Sequence, residues 1–427
     1  MAKDVDRIRA DLVIFGGGFM GLALARQAAS RGLRSVIVEK NEVRKHHYMS
    51  GLIASRADYL RLDKDEVELT AYECRRWLDT FPDIVKPKLF IMPFNDGSPY
   101  SYKFLRPLMD YYDQITAVRL GHYYRSSFRI NNIILEQMEP NLRKGYFKEA
   151  LGFYELTANP DILLDRLRQE LVYSGLCFFC YPDRISISSP TQEGRIRSVG
   201  LSFNDRDNSF LVENQRGLTV VNCAGPWMQD VSASIGINLP VEYSLGFQLS
   251  VKEKYLFQHS IITFGPDDKY AIISQNKDHV QVGPTNTLAT GPEDIENSVL
   301  REKALQYLSS ILKDTIETGI RLSEPRIKSG GLRVKLSLPF APDSNRPFII
   351  NIGFENYHVL YPGKAVLALR TADEFLDKII SNKKFSLCLN GNKKTVNWFK
   401  LNYLRLKSLA ILGFWYFRYY TKPTLHP

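Results

Sequence analysis

The stretch DLVIFGGGFMG, residues 11–21, decides the fold of this chain. Its first five residues form a short apolar run that predicts a buried strand, and the run leads directly into three glycines. Residues 22–31 are rich in alanine and predict a helix that ends at Gly32. Residues 35–39 predict a second strand with Glu39 at its end. This order of strand, glycine turn, helix, strand and acid is typical of a dinucleotide-binding unit.

Three glycines of the turn have separate physical reasons in such a unit. Gly16 allows the tight turn, Gly18 lets the backbone approach a diphosphate, and Gly21 lets the helix pack closely on the strand. The helix N-terminus offers free N–H groups to the phosphates. Glu39 lies 18 residues beyond Gly21, where a carboxylate binds a pair of ribose hydroxyls. A coincidental glycine turn is the alternative, and the motif alone does not distinguish FAD from NAD.

Two further features narrow the choice of dinucleotide. Glu39 disfavours NADP, because its carboxylate would meet the 2′-phosphate. No second G-x-G-x-x-G run follows in the sequence, which disfavours a flavoprotein with a separate pyridine-nucleotide site.

Length and composition place the chain among globular proteins. It has 427 residues, 44% of them hydrophobic and 24% charged, so we expect two or three structural units with a large core. Its five cysteines are few and odd in number, which argues against a disulfide framework and for a cytoplasmic location. The first residues include acids and are not followed by a signal-like apolar run, so a cleaved secretory signal is not expected. No uncharged apolar stretch reaches the roughly 18 residues that span a bilayer.

The net charge of +10 is concentrated at one end of the chain. Residues 378–427 contain ten Lys and Arg and no acid, and without them the remaining Lys and Arg equal the 46 Asp and Glu. We therefore expect no nucleic-acid partner for the body of the protein and an anionic partner for the tail.

The tail is aromatic and apolar as well as basic between residues 398 and 420. Its uncharged part, residues 408–417, is too short to cross a bilayer. Cations together with Trp and Tyr favour a segment that lies on anionic lipid, at the inner face of a membrane. A C-terminal helix packed on the body or on a second subunit is the alternative.

Further segments follow in a recognisable order. A helix is predicted to begin after Asn159 and to end at Gly175, and strands are predicted over residues 177–181 and 184–188. Residues 218–227, LTVVNCAGPW, predict an apolar strand that ends in Ala-Gly. Gly330-Gly331-Leu332-Arg333 comes later, and residues 357–364, YHVLYPGK, precede a helix predicted over residues 365–380.

These segments resemble the FAD-dependent oxidoreductases of the D-amino-acid oxidase superfamily, most of all its FAD-dependent glycerol-3-phosphate dehydrogenases. The resemblance covers about residues 10–385 and is poor near 85–150. VNCAGPW is similar to the Val-Asn-Ala-Ala-Gly-Pro-Trp of that family, Gly331-Leu332-Arg333 to its Gly-x-Arg, and Gly363-Lys364 to part of its Gly-Gly-Lys. The resemblance implies an α/β + β fold, in which an antiparallel-sheet substrate domain is inserted into a doubly wound, Rossmann-like FAD-binding domain.

The implied domain boundaries alternate along the chain. The FAD-binding domain takes residues 1–84, 151–235 and 326–385, the substrate domain takes 85–150 and 236–325, and the basic aromatic tail takes 386–427. Alternating apolar and polar residues over 241–287 predict the antiparallel strands of the substrate domain, and residues 293–316 predict a helix with an acidic start.

The resemblance also implies FAD as the cofactor and a set of residues that bind it. These are Gly16, Gly18, Phe19, Met20, Gly21, Glu39, Lys40, Ser50, Ile185, Ala224, Gly225, Trp227, Gly363 and Lys364.

At the reacting face, the resemblance implies an anion clamp at Arg333 and a cation beside the flavin at Lys364. A salt-bridged or surface role is the alternative for each. The chain departs from the family loop Leu-Ile-His-Gly-Gly-Leu-Arg-Tyr-Leu at Ala54 and Asp58, and it has Val366 and Leu367 where the family has threonines.

The general base is not identified, and the candidates are Asp58, Tyr59, His47 and His358. His46-His47 is a candidate for covalent flavin attachment, and no metal cluster is expected. Cys177 and Cys180 lie in a predicted strand on opposite faces, which indicates core packing rather than a redox pair.

The expected activity is hydride transfer from a small anionic alcohol, such as glycerol 3-phosphate or a hydroxy acid, to the flavin N5. Quinone or oxygen would then take the electrons. An amino-acid, amine or tailoring oxidase of the same superfamily is the first alternative, and a non-catalytic flavin-binding interaction protein is the second. The oligomeric state stays open.

Overall fold

The computed structural model describes residues 6–40, 64–123, 125–188, 194–203, 209–214, 217–265, 269–276, 278–336 and 347–381. Its strands are β1 Asp6–Arg9, β2 Leu12–Phe15, β3 Ser35–Val38, β4 Lys86–Phe94, β5 Phe128–Asn131, β6 Glu149–Thr157, β7 Cys177–Cys180, β8 Arg184–Ile187, β9 Ser198–Ser202, β10 Ser209–Glu213, β11 Thr219–Asn222, β12 Val241–Val251, β13 Ser260–Phe264, β14 Tyr270–Asn276, β15 His279–Gly283, β16 Thr287–Ala289, β17 Arg326–Leu336, β18 Phe348–Asn351 and β19 Tyr357–Tyr361. Its α-helices are α1 Phe19–Ala29, α2 Lys64–Thr80, α3 Tyr102–Leu120, α4 Asn132–Met138, α5 Pro160–Ser174, α6 Met228–Ala233, α7 Ser298–Thr315 and α8 Ala368–Ile380.

A six-stranded sheet with the order β18-β19-β11-β2-β3-β7 forms the centre of one half of the fold. All its neighbouring strands pair in parallel except β18, which is antiparallel to β19 at the edge. The residues of β2 and β3 are all buried, as expected of strands covered on both faces. The chain leaves β2 toward β3 on one side, whereas β11 lies on the other side. This reversal of strand order opens a crevice at the carboxyl end of β2, where ligands bind in such sheets.

Alternate residues of β2 enter two different apolar layers. Leu12 and Ile14 pack with helices α1, α5 and α8, and Val13 and Phe15 pack with residues of a four-stranded sheet. That second sheet has the order β1-β10-β9-β8. This half of the fold is therefore a three-layer arrangement of helices, parallel sheet and small sheet.

A nine-stranded sheet forms the other half of the fold. Its order is β16-β12-β15-β14-β13-β4-β6-β5, with β17 paired to β12 on the outer side. One face packs on α7 through a cluster that includes Leu249, Ile273 and Leu308. On the opposite face, named here the front face, α3 covers the part around β4 and β6 through residues such as Phe90 and Met109. The front face continues along β12 and β17, where it includes Gly246, Gln248 and Arg333.

Trp77 of α2 links distant parts of the dinucleotide-binding half. Its ring stacks on Phe19 at the start of α1 with 5.1 Å between centroids, and on Phe81 at 5.6 Å. Its indole N–H donates a hydrogen bond of 2.8 Å to the carbonyl of Val366, just before α8. Trp77 is fully buried, and its contacts hold α2 against the first turn of α1 and the entry to α8.

The expected α/β fold is confirmed, and several local predictions are accurate to a residue or two. Helix α5 begins after Asn159, whose side chain accepts from Asp161 N, and ends at Gly175 in the left-handed conformation. Cys177 belongs to the cluster on the helical side of β7 and Cys180 packs on the opposite cluster, so the two thiols point apart. Both cysteines are free thiols, and burial raises their pKa.

Strand pairing places two of the domain boundaries at residues other than those expected. Strand β6 pairs with β4 along its whole length, so the nine-stranded sheet continues past residue 150 to Thr157. Strand β17 pairs with β12, so residues 326–336 lie in the nine-stranded sheet and not in the dinucleotide-binding half. Both shifts come from pairing between distant segments, which local patterns do not reveal. Within the described ranges, no helix is long and apolar enough to span a bilayer.

Candidate functional site

The glycine turn after β2 is closed on one side and open on the other. A Cβ at Gly21 would lie 1.9 Å from the carbonyl oxygen of Gly16, and a Cβ at Gly16 would lie 2.6 Å from the carbonyl oxygen of Cys223. Gly16 also has a φ of +100°, which favours glycine. In contrast, among the described residues other than its chain neighbours, no atom lies within 4 Å of the position that a Cβ at Gly18 would take. The turn is therefore packed tightly beneath and leaves free space above Gly18.

Helix α1 begins at this turn without a side-chain cap. Its N-cap is Gly18, which has no side chain that could accept hydrogen bonds from the first N–H groups. The side chains of Phe19 and Met20 are both buried, which leaves only their backbone groups on the crevice side. The first turn of α1 therefore offers N–H groups and the positive end of the helix dipole to an anion.

Glu39 lies at the end of β3 and is held beside the turn by backbone donors. Gly17 N donates to one carboxylate oxygen and Lys40 N to the other, each at 2.8 Å. Arg168 of α5 reaches the same place, since its Nη2 lies 3.4 Å from the carbonyl oxygen of Gly17. Its guanidinium packs over Phe179, 5.8 Å from the ring centroid. The sequence did not indicate Arg168 as a residue of the site, because its position beside Glu39 depends on how α5 packs.

A second turn, Ala224-Gly225, follows β11 and lies against the first. Asn222 holds it from below: its Oδ1 accepts from Ala224 N at 3.1 Å, and its Nδ2 donates to the carbonyl of Met228 and to the hydroxyls of Ser232 and Tyr357. Asn222 is fully buried. Above this support, Gly225 has a φ of +55°, and among the described residues other than its chain neighbours no atom lies within 4 Å of the position that a Cβ would take. A second stretch of bare backbone therefore faces the crevice.

The third turn, at Gly363-Lys364, follows β19. Gly363 has a φ of +66°, and Lys364 precedes the short 3₁₀ turn that leads into α8. Lys364 Nζ lies 2.7 Å from Glu66 Oε1 of α2, and both side chains are largely buried. The cation predicted at this position is present, but a carboxylate that the sequence did not indicate is paired with it.

Arg333 lies on β17, opposite Ser244 of β12. Its guanidinium extends across β12, since a Cβ at Gly246 would lie 2.9 Å from Arg333 Nη2. Strand β17 also packs against the Gly225 turn, so the nine-stranded sheet meets the dinucleotide-binding half here. Within the described ranges, no carboxylate lies at ion-pair distance from Arg333.

Two tyrosines, Tyr270 and Tyr361, share the surroundings of Arg333. Although Arg333 keeps access to solvent, the protein atoms around its guanidinium desolvate it and lower its pKa. Burial raises the pKa of Tyr361 to about 12, with the charge of Arg333 opposing the rise. Tyr361 therefore stays protonated at neutral pH. It can donate a hydrogen bond, and it ends the strand that leads to Gly363.

The remaining predicted residues lie in different places. His358 is buried against Phe375, with 5.2 Å between ring centroids, and burial lowers its pKa to about 3. Ile185 is half exposed on β8, Lys40 is exposed, and Trp227 is half-buried in the turn after Gly225. The predicted residues outside the described ranges are Ser50, His46, His47, Ala54, Asp58 and Tyr59, together with the whole basic tail. Of the base candidates, only His358 is described, and its core position does not suit proton transfer.

The first turn fits the diphosphate of a dinucleotide. Space above Gly18, an uncapped helix N-terminus and the positioned carboxylate of Glu39 are what a diphosphate and its ribose require. In the described part of the chain, no group of His, Cys, Asp and Glu is arranged to hold a metal ion. The backbone donors at the start of α1 suit an organic diphosphate, and the Arg333 guanidinium suits an anionic ligand.

Comparison with known proteins agrees with this geometry. The protein family described as FAD dependent oxidoreductase matches residues 11–362. An α-glycerophosphate oxidase of Streptococcus pyogenes is 22% identical over 397 residues, which cover 88% of this chain and 62% of the relative. The chain thus spans about six tenths of the length of the curated relatives that it matches first.

Solved structures show the same fold at low identity. The L-α-glycerophosphate oxidase of Mycoplasma pneumoniae, solved with FAD bound, aligns with a TM-score of 0.65 at 15% identity and covers 90% of this chain and 98% of its own. The glycine oxidase of Bacillus cereus aligns with a TM-score of 0.58 at 17% identity, over 88% of this chain and 96% of its own. Both the alcohol-oxidising and the amine-oxidising neighbours therefore share this architecture.

Proposed function

We propose, since the chain belongs to the family of FAD-dependent oxidoreductases, that it binds FAD and oxidises a small anionic alcohol such as glycerol 3-phosphate or a hydroxy acid. The observation that carries the proposal is the meeting of two features. Open space above Gly18 suits a dinucleotide, and the guanidinium of Arg333, which has no carboxylate partner among the described residues, lies on the strand that packs against the Gly225 turn. Cofactor and substrate anion would thus share one crevice.

Cofactor binding would rest mainly on backbone groups. The first N–H groups of α1 would donate to the diphosphate, and the Glu39 carboxylate would accept from the ribose hydroxyls. Gly225 and Gly363 would let the backbone approach the rest of the cofactor closely. When bound, FAD supplies the ring nitrogen that accepts a hydride, and quinone or oxygen would take the electrons afterwards.

Substrate binding would rest on side chains. Arg333 would hold the carboxylate or phosphate of the substrate, because a guanidinium fork matches either group. Tyr361, protonated at neutral pH, would donate a hydrogen bond beside it. Lys364 would contribute less positive charge than a free lysine, because Glu66 lies 2.7 Å away. Asp58, Tyr59 and His47 stay candidates for the general base.

A second candidate is oxidation of an amino acid or another amine. The neighbourhood of Arg333 suits amino acids as well as hydroxy acids, because one guanidinium matches a single carboxylate, whereas a phosphate dianion is usually met by more than one cation. The fold of glycine oxidase is also shared. The chemistry at Arg333 would be the same in both candidates, and only the group on the oxidised carbon would differ.

The experiment that separates these candidates is anaerobic bleaching of the purified protein. The visible flavin spectrum is recorded first, and then glycerol 3-phosphate, small hydroxy acids and small amino acids are added one at a time without oxygen. We expect a flavin band that is lost with at least one anionic alcohol. Bleaching by amino acids alone would favour the second candidate. A protein that carries no flavin, or whose flavin no compound bleaches, would contradict the proposal.

We also propose, from the sequence alone, that residues 392–427 bind the surface of an anionic membrane, where quinone could take the electrons. Seven basic residues without an acid, interleaved with Trp and Tyr, carry this proposal. Deletion of residues 392–427 should abolish cosedimentation with phosphatidylglycerol vesicles and leave the flavin content unchanged. Equal cosedimentation of the full and shortened chains would refute it.

A further inference from the structure

The front face of the nine-stranded sheet continues past Arg333 as a polar surface. Along β12, Ser244, Gly246 and Gln248 alternate with residues that are buried on the α7 side. Ser244 is paired with Arg333 across β12 and β17, so Gln248 and Arg333 lie on the same face. Gln248 is two residues from Gly246, the residue beneath the guanidinium, which is roughly 7 Å along the strand.

Gln281 and Ser274 extend this surface on the neighbouring strands. Gln281 of β15 is paired with Ser274 of β14 on one side and with Ser250 of β12 on the other. The Ser274 hydroxyl lies 3.0 Å from that of Ser260 on β13. A recess between these strands is lined by Gln248, Ile272, Ser274, Gln281, Val282 and Gly283.

Two glycines make room for the long polar side chains of this surface. A Cβ at Gly246 would lie 2.9 Å from Arg333 Nη2, and a Cβ at Gly283 would lie 3.4 Å from Gln248 Cγ. Arg333 and Gln248 therefore pass close over bare backbone. Both side chains lie on the front face, and the guanidinium passes over Gly246, roughly 7 Å along β12 from Gln248.

The recess has hydrogen-bonding capacity but no charge. None of its six lining residues is ionisable. In the part of the chain that the structure describes, neither the Gln248 nor the Gln281 amide has a hydrogen-bond partner, although both residues are half-buried. Half-buried amides without partners lose part of their hydration, so a ligand group that donates and accepts would be favoured there.

We propose that Gln248 and Gln281 form a specificity subsite for a neutral hydrogen-bonding group of the substrate, while Arg333 holds the substrate anion. This inference rests on the proposed function, because it assumes that Arg333 is the anion clamp. The substrate class that fits is a small monocarboxylate with a hydroxyl or carboxamide two or three bonds beyond the reacting carbon. A second phosphate or carboxylate would find no cation in the recess.

The test uses propionate and 3-hydroxypropionate, which differ by one distal hydroxyl and carry no oxidisable group beside the carboxylate. Their affinities for the flavin-loaded protein are measured by titration calorimetry. We expect 3-hydroxypropionate to bind about three- to tenfold more tightly than propionate. In the Gln248→Leu and Gln281→Leu variants that preference should fall toward one, with propionate affinity unchanged, and Gln248→Asn should keep part of it.

The controls separate a specific loss from a folding defect. Gln306→Leu, on the exposed side of α7, should keep the preference. Flavin content and melting temperature are measured for every variant, and a variant that loses flavin is replaced by Gln248→Asn or Gln281→Asn for the comparison. Equal affinities of the two acids for the native protein, or an unchanged preference in both leucine variants, would overturn the inference.

Turnover is measured separately with lactate and glycerate, which form the corresponding oxidisable pair. Faster anaerobic bleaching by glycerate than by lactate, lost in Gln248→Leu, would support the subsite in catalysis. If the calorimetric preference is present but no compound bleaches the flavin, the subsite stands and the proposed function fails. If the flavin is bleached equally by both acids, the proposed function stands and the subsite fails.

Discussion

The two regions that meet at the crevice are built in different ways. At the carboxyl ends of β2, β11 and β19, the site consists of bare backbone that rigid packing holds in place, as at Gly21, where a Cβ would lie 1.9 Å from a carbonyl oxygen. On the front face of the nine-stranded sheet, the site consists of long side chains such as Arg333 and Gln248, which lie over glycines. The comparison suggests that the first region sets the cofactor and that the second sets the substrate.

The largest expected effect is the loss of activity when Arg333 is replaced, a change that leaves the first region intact. Arg333→Leu should lower kcat/KM for the anionic substrate about 100-fold or more, because a charge-assisted pair is lost. The kcat/KM of Arg333→Lys should lie between those of the native protein and Arg333→Leu. Flavin content should not change. The measurement is single-turnover bleaching kinetics, and loss of flavin together with activity would show that the two regions are not separable.

A substitution in the first region, at Gly18, should affect cofactor binding alone. Gly18→Ala adds a methyl group to open space, so the apoprotein should keep its melting temperature, whereas the methyl group would meet the diphosphate. We expect FAD affinity to fall roughly 10- to 100-fold, measured by titration of the apoprotein. Gly97→Ala, in an exposed turn, is the matched control. Unchanged FAD affinity in Gly18→Ala would place the diphosphate elsewhere.

A smaller effect is expected beneath the second turn. Asn222→Ala leaves Ala224 N and the Ser232 and Tyr357 hydroxyls without their shared partner, which should lower the free energy of unfolding by about 2 kcal/mol. Flavin affinity should fall with it, because the Gly225 turn loosens. Asn238→Ala, at an exposed position, should change neither quantity in denaturant titrations.

The smallest expected effect on the crevice itself comes from a carboxyl that lies away from it. Burial raises the pKa of Glu73 in α2 to about 7, above the usual 4.5. Its contribution to stability is thus complete below pH 4.5 and is lost as pH rises through 7. Glu73→Gln should remove this decline and raise the free energy of unfolding at pH 8 by about 1–3 kcal/mol. An identical pH profile in Glu73→Gln and native protein would contradict the assignment, and Glu68→Gln on the same helix is the control.

The same contrast explains how much of the molecule the sequence could predict. The glycine turn, the strand that ends at Glu39 and helix α5 with its caps are local patterns, and they appear within a residue or two of the predicted positions. Each depends on neighbours within one element or turn. The expected fold class rested on the family resemblance that these segments carry.

What could not be predicted depends on contacts between distant segments. Glu66 and Lys364 are separated by 298 positions, and Trp77 and Val366 by 289. The position of β17 in the nine-stranded sheet depends on its pairing with β12, which brings Arg333 over Gly246. Gln248 and Gln281 gave no signal in the sequence, because a glutamine in a strand becomes informative only when its face and its neighbours are known.

The measurement that tests the central claim most directly is titration of the flavin-loaded protein with propionate, followed through the visible flavin spectrum. If the turn at Gly18 holds the cofactor with its ring near Arg333, the bound anion should shift the flavin spectrum of the native protein. The same titration of Arg333→Leu, still fully loaded with flavin, should give no shift. An equal spectral shift in both proteins, or a native protein that binds no flavin, would contradict the account.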